Sequence, residues 1–455
     1  MSEQTEIEAL RSENAALRAE NTALRAENTA LREVARQLEE RLADLDRKKR
    51  PTPSWVKPNR PQTSEGATKP RKRRAAEQNA GRRRSTPTRI EQHAYERCPD
   101  CGYALRGAAI KRRREVIALP AVGYEVVEHQ LIKRHCPVCQ AWKTPSVSFA
   151  GITLGQSRIG VHLASLIGTL RTTGRLPLAA IQAHLAQVYA LTLSEGGIQD
   201  ILSRLAIALT PVRAQITRDA RGSPARQMDE TGGREGGQNG YLWVQATNGP
   251  AATRQYTYDR SRAGAVARAL AGEEDAGVLV TDFYAAYDQV PGAKQRCWAH
   301  LRRARHALGE AHPAREDVQD WVQAVNGLYK RARALDTTTL TARERARLAD
   351  ECERRSRALA RCYRRTAGHP AQVLAQRLHR YESELFTFVR LPGVPATNNE
   401  AERAVRPLVI TRKISGGSRS ATGSQVRCDL ATPFYTWAAR GLNPFAACRA
   451  ALQSP

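Results

Sequence analysis

The sequence predicts a multidomain α/β protein in which helical and cysteine-bearing segments precede a mixed sheet. Three observations predict it. Leucines recur at every seventh position through residues 5–47, two Cys-Pro-x-Cys pairs fall within residues 91–150, and short alternating apolar runs gather in residues 223–312 between helical stretches. At 455 residues the chain holds more than one domain. Its 72 Lys+Arg against 45 Asp+Glu, a net charge of +27, point to a polyanionic partner, because each neutralised phosphate releases counterions. No apolar run approaches the ~18 residues of a membrane span, the N-terminus is polar and acidic, unlike a secretory signal, and neither a basic amphipathic helix nor a lipid-anchor signal stands out. A cytoplasmic protein without a membrane partner is expected. Nine cysteines, an odd number of which four lie in Cys-x-x-Cys pairs, favour metal binding in a reducing compartment over a disulfide framework.

Residues 1–47 read as a coiled-coil dimerisation segment. Leu10, Leu17, Leu24, Leu31, Leu38 and Leu45 share one heptad position, with Ile7, Asn14, Asn21, Asn28, Ala35 and Leu42 at the other core position. Glu6, Glu13, Glu20 and Glu27 each have an Arg five residues on, the spacing for salt bridges between parallel helices, and the core asparagines favour a two-stranded register. A homodimer is implied; a single charged helix is the plainer alternative. Residues 48–90 carry Lys/Arg clusters and prolines with almost no apolar residues, so they read as a flexible basic linker that holds DNA nonspecifically or merely solubilises the chain. In residues 91–150, Cys98-Pro-Asp-Cys101 and Cys136-Pro-Val-Cys139 form two knuckles that together would close a four-cysteine structural Zn²⁺ site, with strands over Tyr124–Ile132 between them. His93 and His135 are neighbours rather than ligands. Residues 151–222 are helical, and the pair near 178–189 and 194–209 is either a helix-turn-helix that binds DNA or part of a plain bundle.

Strands are predicted at about 226–231, 241–247, 253–258, 278–282 and 294–298, with a helix at about 261–270. Residues 313–390 return to Arg-rich helices, broken around Thr337–Thr341 and at Gly368-His-Pro, and Thr397-Asn398-Asn399 opens a further helix.

Three carboxylates stand out against this frame. Asp229 precedes a Gly-rich turn, Asp282 ends the apolar run Gly277-Val-Leu-Val-Thr, and either Glu400 or Glu402 comes from the helix after Asn398. Two strand-end carboxylates and one helical carboxylate can hold paired Mg²⁺ or Mn²⁺ for phosphodiester chemistry. A carboxylate ending a buried strand is costly unless a cation compensates it, although a lone Asp there is more often a turn residue. Glu230 points to the face opposite Asp229, and Asp288 falls on the next helix. Glu400 and Glu402 lie roughly 200° apart on a helix, so only one can face the metal.

With these residues the chain resembles bacterial insertion-sequence transposases of the insertion sequence 66 family, which carry a DDE active site. The resemblance spans about residues 91–440 and rests on the two Cys-Pro-x-Cys pairs, Asp229-Glu-Thr, Asp282-Phe-Tyr-Ala-Ala-Tyr, Cys297-Trp-Ala-His300-Leu-Arg-Arg and Asn398-Asn-Glu-Ala-Glu402-Arg-Ala-Val-Arg-Pro with Lys413-Ile-Ser-Gly-Gly. It implies an RNase H-like catalytic core in residues 223–312 and 391–440, interrupted by a helical insertion at 313–390 and followed by a tail at 441–455. It implies Asp229, Asp282 and Glu402 as the catalytic set, with metal-dependent cleavage and strand transfer at terminal inverted repeats, nucleoid association when bound to DNA, and other element-encoded proteins as further partners. Cys297 and His300 are expected as a structural pair beside the site, because two ligands cannot close a zinc site. Arg403, Arg406, Arg412, Lys413 and Arg419, on or beside the Glu402 helix, are expected to grip phosphates. A non-catalytic, dimeric, zinc-containing DNA-binding regulator is the alternative, but it leaves residues 223–440 without a role. One departure is the Gly-rich stretch after Asp229, which puts the geometry of the first hairpin in question.

Overall fold

A computed structural model describes residues 20–24, 26–39, 90–104, 106–107, 110, 122–272, 277–334 and 339–453. The chain divides into two compact units, Met1–Ile117 and Ala118–Pro455, each taken here by itself. In the first unit, residues 20–24 and 26–39 are helical and exposed. Leu24, Leu31 and Leu38 stand in solvent along this helix. The rest of the heptad segment, and residues 48–89 of the basic segment, lie outside the described residues. The first cysteine knuckle is a tight turn: the Cys98 N–H donates to the Tyr103 carbonyl at 2.8 Å and the Gly102 N–H to the Cys98 carbonyl at 2.8 Å.

In the second unit, a small antiparallel hairpin of β1 (Arg134–Cys136) and β2 (Ala141–Lys143) carries the second knuckle in its turn. The expected strands over 124–132 do not form; these residues lack regular structure and are exposed. Alternation alone buries nothing unless a second layer covers one face.

Four helices follow: α1 (Val161–Arg171), α2 (Leu178–Tyr189), α3 (Glu195–Ala208) and α4 (Thr210–Arg221). Ser194 caps α3 by accepting the Gly197 N–H at 3.0 Å. Ile167, Ile181, Leu185, Ile198, Leu202 and Leu205 meet in one core.

The sheet comes next: β3 (Ala225–Glu235), β4 (Gln238–Ala246) and β5 (Arg254–Asp259), then α5 (Gly264–Ala271), β6 (Val278–Thr281), a 3₁₀ turn (Ala285–Gln289) and β7 (Lys294–Arg296). Strand order is β5-β4-β3-β6-β7; β3, β4 and β5 pair antiparallel, while β6 runs parallel to both β3 and β7. Period-two alternation sorts the faces. Leu242, Val244 and Ala246 join one core, whereas Met228, Trp243 and Leu279 pack with α5 on the other side.

The Gly-rich stretch is not a loop. β3 runs on through Gly232 and Gly233 to Glu235, and the turn is Gly236-Gly237 alone, both at positive φ. Asp229 therefore lies inside a strand, not at its end. Gly233 pairs with Gly240, and both lie under Tyr258: a Cβ on Gly240 would sit 2.1 Å from its hydroxyl. The glycines make room for that ring.

After β7 comes α6 (Trp298–Ala311), within the span expected as the first part of the core, and the expected insertion at 313–390 holds α7 (Glu316–Ala332), α8 (Ala342–Tyr363), α9 (Gln372–Arg380) and the short α10 (Thr387–Arg390). Both expected breaks are present. A Thr341–Glu344 capping box starts α8, and Gly368 takes positive φ between α8 and α9. This core reaches back to the sheet through Val278 and Val280. The chain then forms α11 (Asn399–Ser415), α12 (Ala421–Ala439) and α13 (Pro444–Gln453). Residues 441–455, expected as a tail, instead supply α13, whose Cys448 is fully buried in the α1–α4 core together with Phe434 and Trp437 of α12. A ten-residue window with four alanines and one charge gives little periodic signal, and its burial comes from long-range packing. No helix among the described residues is long and apolar enough to cross a membrane.

Candidate active site

The parallel pairing of β3 and β6 ends at Gln227↔Val280. Beyond it β3 continues along β4, while β6 stops at Thr281. Asp229 and Asp282 each lie two residues past that last pair on adjacent parallel strands, Asp229 within the stretch of β3 that continues along β4 and Asp282 just past the end of β6. Open sheets bind ligands in the crevice at this kind of place. Asp282 shares the parity of Val278 and Val280, and its Oδ1 accepts the Tyr284 N–H at 2.9 Å, which turns the chain away from the strand.

The third carboxylate is brought in by α11, and three ties fix the start of that helix. The buried Asn398 donates its Nδ2 to the Met228 carbonyl of β3 at 2.7 Å, and its backbone N–H to the Cys297 sulfur at 3.1 Å. The Glu400 N–H donates to Gln227 Oε1 at 3.0 Å. Sequence reasoning missed Asn398 and Gln227 as positioning residues; only their polarity at positions that become buried could have signalled them.

Asp229 is mostly enclosed, and its Oδ1 accepts only the Glu230 N–H, at 3.0 Å. Burial first, then the charges of Glu230, Asp282 and, more weakly, Glu402, push its carboxyl up to about 8. Asp229 thus feels both other members of the expected set. Neither Asp229 nor Asp282 has an ion-pair partner among the described residues. Glu402 has only loose ones, His300 Nε2 at 3.7 Å and Arg303 at 3.8 Å, and its Oε1 is buried without a hydrogen bond.

The competing carboxylates are engaged elsewhere. Glu230 accepts from Arg262 at 2.6 Å and from the Tyr287 hydroxyl. Asp288, which lies on the 3₁₀ turn, pairs with Arg296 and with Arg380 at 3.0 Å. Glu400 pairs with Arg254 at 2.7 Å and with Arg403.

Cys297, expected as half of a packing pair, is fully buried as the cap residue of α6. Together with His300 it gains a third neighbour: ligand atoms of Cys297, His300 and Glu402 all lie within 4.8 Å of one another. Of the expected phosphate-gripping residues, Arg403 is taken by Glu400, and Arg412 donates to the Gly232 carbonyl. Arg406, Lys413 and Arg419 are exposed.

The cysteine knuckles are each preformed around one sulfur. The Cys139 N–H approaches Cys136 Sγ at 3.4 Å. In each knuckle, backbone N–H groups favour the thiolate and pull the first cysteine below its ordinary range, from Asp100 and Cys101 at Cys98 and from Cys139 and Val138 at Cys136. Cys101 and Cys139 are exposed.

No curated protein matches the chain. The family model described as "Transposase IS66 family" matches residues 156–426, which span the helical region, the sheet, the insertion and both the Asp282 turn and the Glu402 helix. The chain belongs to the IS66 family of transposases.

Proposed function

We propose that the protein is the DNA-cutting and DNA-joining enzyme of its insertion sequence, acting through Asp229, Asp282 and Glu402 on an RNase H-like core. The observation that carries this reading is the pair of uncompensated aspartates in matching register on two adjacent parallel strands, with Glu402 contributing to the field at Asp229. The strand order, with three antiparallel strands flanked by two parallel ones, supports the core assignment. DDE transposases generally use divalent metal, and the donor set here fits it: three oxygen donors, one pushed up to about 8 by burial and then by its neighbours' charge, and one with an orphaned buried oxygen. Asp229, Asp282 and Glu402 would hold Mg²⁺ or Mn²⁺, which when bound neutralises charge on the scissile phosphate and eases deprotonation of the attacking oxygen.

In cleavage, a water oxygen attacks phosphorus and the P–O3′ bond breaks, freeing a 3′-hydroxyl. In strand transfer that hydroxyl attacks a target phosphodiester and displaces its 3′ oxygen. The chain's own part is positioning. Asn398 and Gln227 lock α11 to β3, and the Arg254 pair holds Glu400 away so that Glu402 takes the inward place. Arg406, Lys413 and Arg419 grip backbone phosphates without reading sequence, while Arg403 and Arg412 serve mainly to fix α11. The heptad helix pairs with a second copy so that each protomer holds one transposon end, the cysteine knuckles bind structural Zn²⁺, and the helices of residues 151–222 bind the terminal repeats, with other proteins of the element as further partners.

The test uses purified full-length protein, a duplex carrying the element's end, target DNA and Mg²⁺, with the element's other proteins added in a second arm. Joined products from wild type and none from Asp282→Asn are expected. Joining by Asp282→Asn at the wild-type rate would sink the triad. A wild type that binds ends yet never cuts them in either arm would leave the regulator.

A further inference from the structure

The chemistry just described uses one member of the Cys297, His300 and Glu402 cluster and leaves the other two idle. Cys297 and His300 sit three residues apart at the start of α6, so both side chains face the same direction. Glu402 approaches from α11, and all three ligand atoms lie within 4.8 Å of one another.

Three features suit a bound cation. First, two polar atoms here are orphaned: His300 Nδ1 and Glu402 Oε1 are buried without a hydrogen-bond partner. Such atoms normally find partners. Second, the buried Cys297 sulfur accepts the Asn398 backbone N–H at 3.1 Å, an outer contact of the kind that orients a metal-binding side chain, although burial pushes its thiol up. Third, one sulfur, one imidazole nitrogen and one carboxylate oxygen form a mixed set that suits a borderline-soft ion of the zinc class better than Mg²⁺. Ligands on tetrahedral zinc stand ~3.3–3.8 Å apart, given bonds of ~2.0–2.3 Å. Closing from 4.8 Å needs about an ångström of movement. His300 and Glu402 can supply it, since their side chains are 28 % and 24 % exposed.

We propose that Cys297, His300 and Glu402 bind one thiophilic divalent cation, and that its occupancy withdraws Glu402 from Asp229 and Asp282. The second half rests on the reading of Glu402 as a catalytic metal ligand; the first half does not. A soft ion then acts as an off-switch for the hard-metal site, through the one carboxylate they share.

The binding test is a Co²⁺ titration of the full chain carrying Cys98→Ser, Cys101→Ser, Cys136→Ser and Cys139→Ser, repeated on zinc-replete wild type. One equivalent should raise a near-ultraviolet thiolate-to-cobalt band. The band should vanish in Cys297→Ser, and the affinity should drop at least about tenfold in His300→Ala, which also covers the case that the serine variant fails to fold. Absence of the band, or a band indifferent to both substitutions, overturns the site. The coupling is read by Mn²⁺ paramagnetic resonance on the same protein. Preloading one equivalent of Zn²⁺ should weaken the Mn²⁺ binding that depends on Asp282 by about tenfold or more, and unchanged Mn²⁺ binding overturns the switch. Mn²⁺ that never binds the zinc-free protein removes the catalytic reading and the coupling with it, while the Co²⁺ band stands or falls alone.

Discussion

The helical insertion and the crevice between β3 and β6 treat their carboxylates in opposite ways. In the insertion Glu351, Asp350, Glu353 and Asp317 each have a cation. Glu351 lies between Arg331 at 2.8 Å and Arg355 at 2.9 Å, Asp350 and Glu353 share Arg390 at 2.7 Å each, and Asp317 accepts from Arg315 at 2.6 Å and from His369 at 2.9 Å. In the crevice Asp229 and Asp282 have none among the described residues. Cations are not scarce in a chain with 72 basic and 45 acidic side chains. An uncompensated carboxylate therefore marks a place where the positive charge is to come from elsewhere, and the same test separates Glu402 from Glu400 two residues away.

The largest effect should come from testing that separation directly. Asp282→Asn or Glu402→Gln removes an anionic ligand and should lower strand transfer by roughly 10³-fold. Glu400→Gln should keep most of the activity and instead lower the melting temperature, because it removes the anionic partner of the buried Arg254 and leaves it the Thr247 and Thr253 carbonyls and a neutral amide, at a cost of roughly 1–3 kcal/mol. Strand transfer and thermal melting on the same three proteins check both. The reverse pattern would mean that α11 is turned about its axis and that pairing with arginine does not mark the idle carboxylate.

Next in size is the stability of the metal-free protein. The folded-state pKa of Asp229 is raised to about 8 from an ordinary ~3.9. A raised group contributes stability that is fully present below the unfolded value and is lost as pH climbs through the folded one. In chelator, the wild type should therefore lose stability between about pH 4 and pH 8, relative to Asp229→Asn, by a few kcal/mol at most. Added Mg²⁺ should restore the wild type and not the variant. Parallel melting curves for the two proteins across that window would show that the crevice carries no strain from its charges. Arg390→Ala makes the converse test in the insertion, since it leaves Asp350 and Glu353 bare at a partly exposed site. It should cost only about 1 kcal/mol in melting and nothing in strand transfer.

What the sequence could disclose divides along the same line. Period-two runs placed the strands of the larger sheet, and the run Thr337–Thr341 marked a break between helices, because neighbours along the chain determine both. Asp282 was legible from the apolar parity of Val278 and Val280. The engagement of Glu400 was not legible locally, since its partner Arg254 lies 146 residues away. The length of β3 was hidden because Gly232 and Gly233 read as a turn until Tyr258 is seen to need the space. The meeting of Cys297 and His300 with Glu402 depends on α11 being tied to β3 through Asn398, a contact across 170 residues that no spacing rule encodes.

The smallest expected effect sharpens the comparison most, because its sign is opposite. Asp317 in the insertion is held well below the ordinary carboxylate range, first by Arg315 and then by His369. A depressed group contributes stability that is present above the unfolded value and is lost as pH falls toward the folded one. The melting difference between wild type and Asp317→Asn should thus be constant from neutral pH down to about pH 5 and shrink only in stronger acid. The site is exposed and screened, so the difference should be the slightest of the set and should fade in high salt. Metal should not alter it, whereas the Asp229 slope should run the other way with pH and disappear with metal. A difference at Asp317 that grew toward alkaline pH, or responded to Mg²⁺, would mean that the insertion too holds an uncompensated site, and the contrast on which Asp229, Asp282 and Glu402 were chosen would no longer separate the two regions.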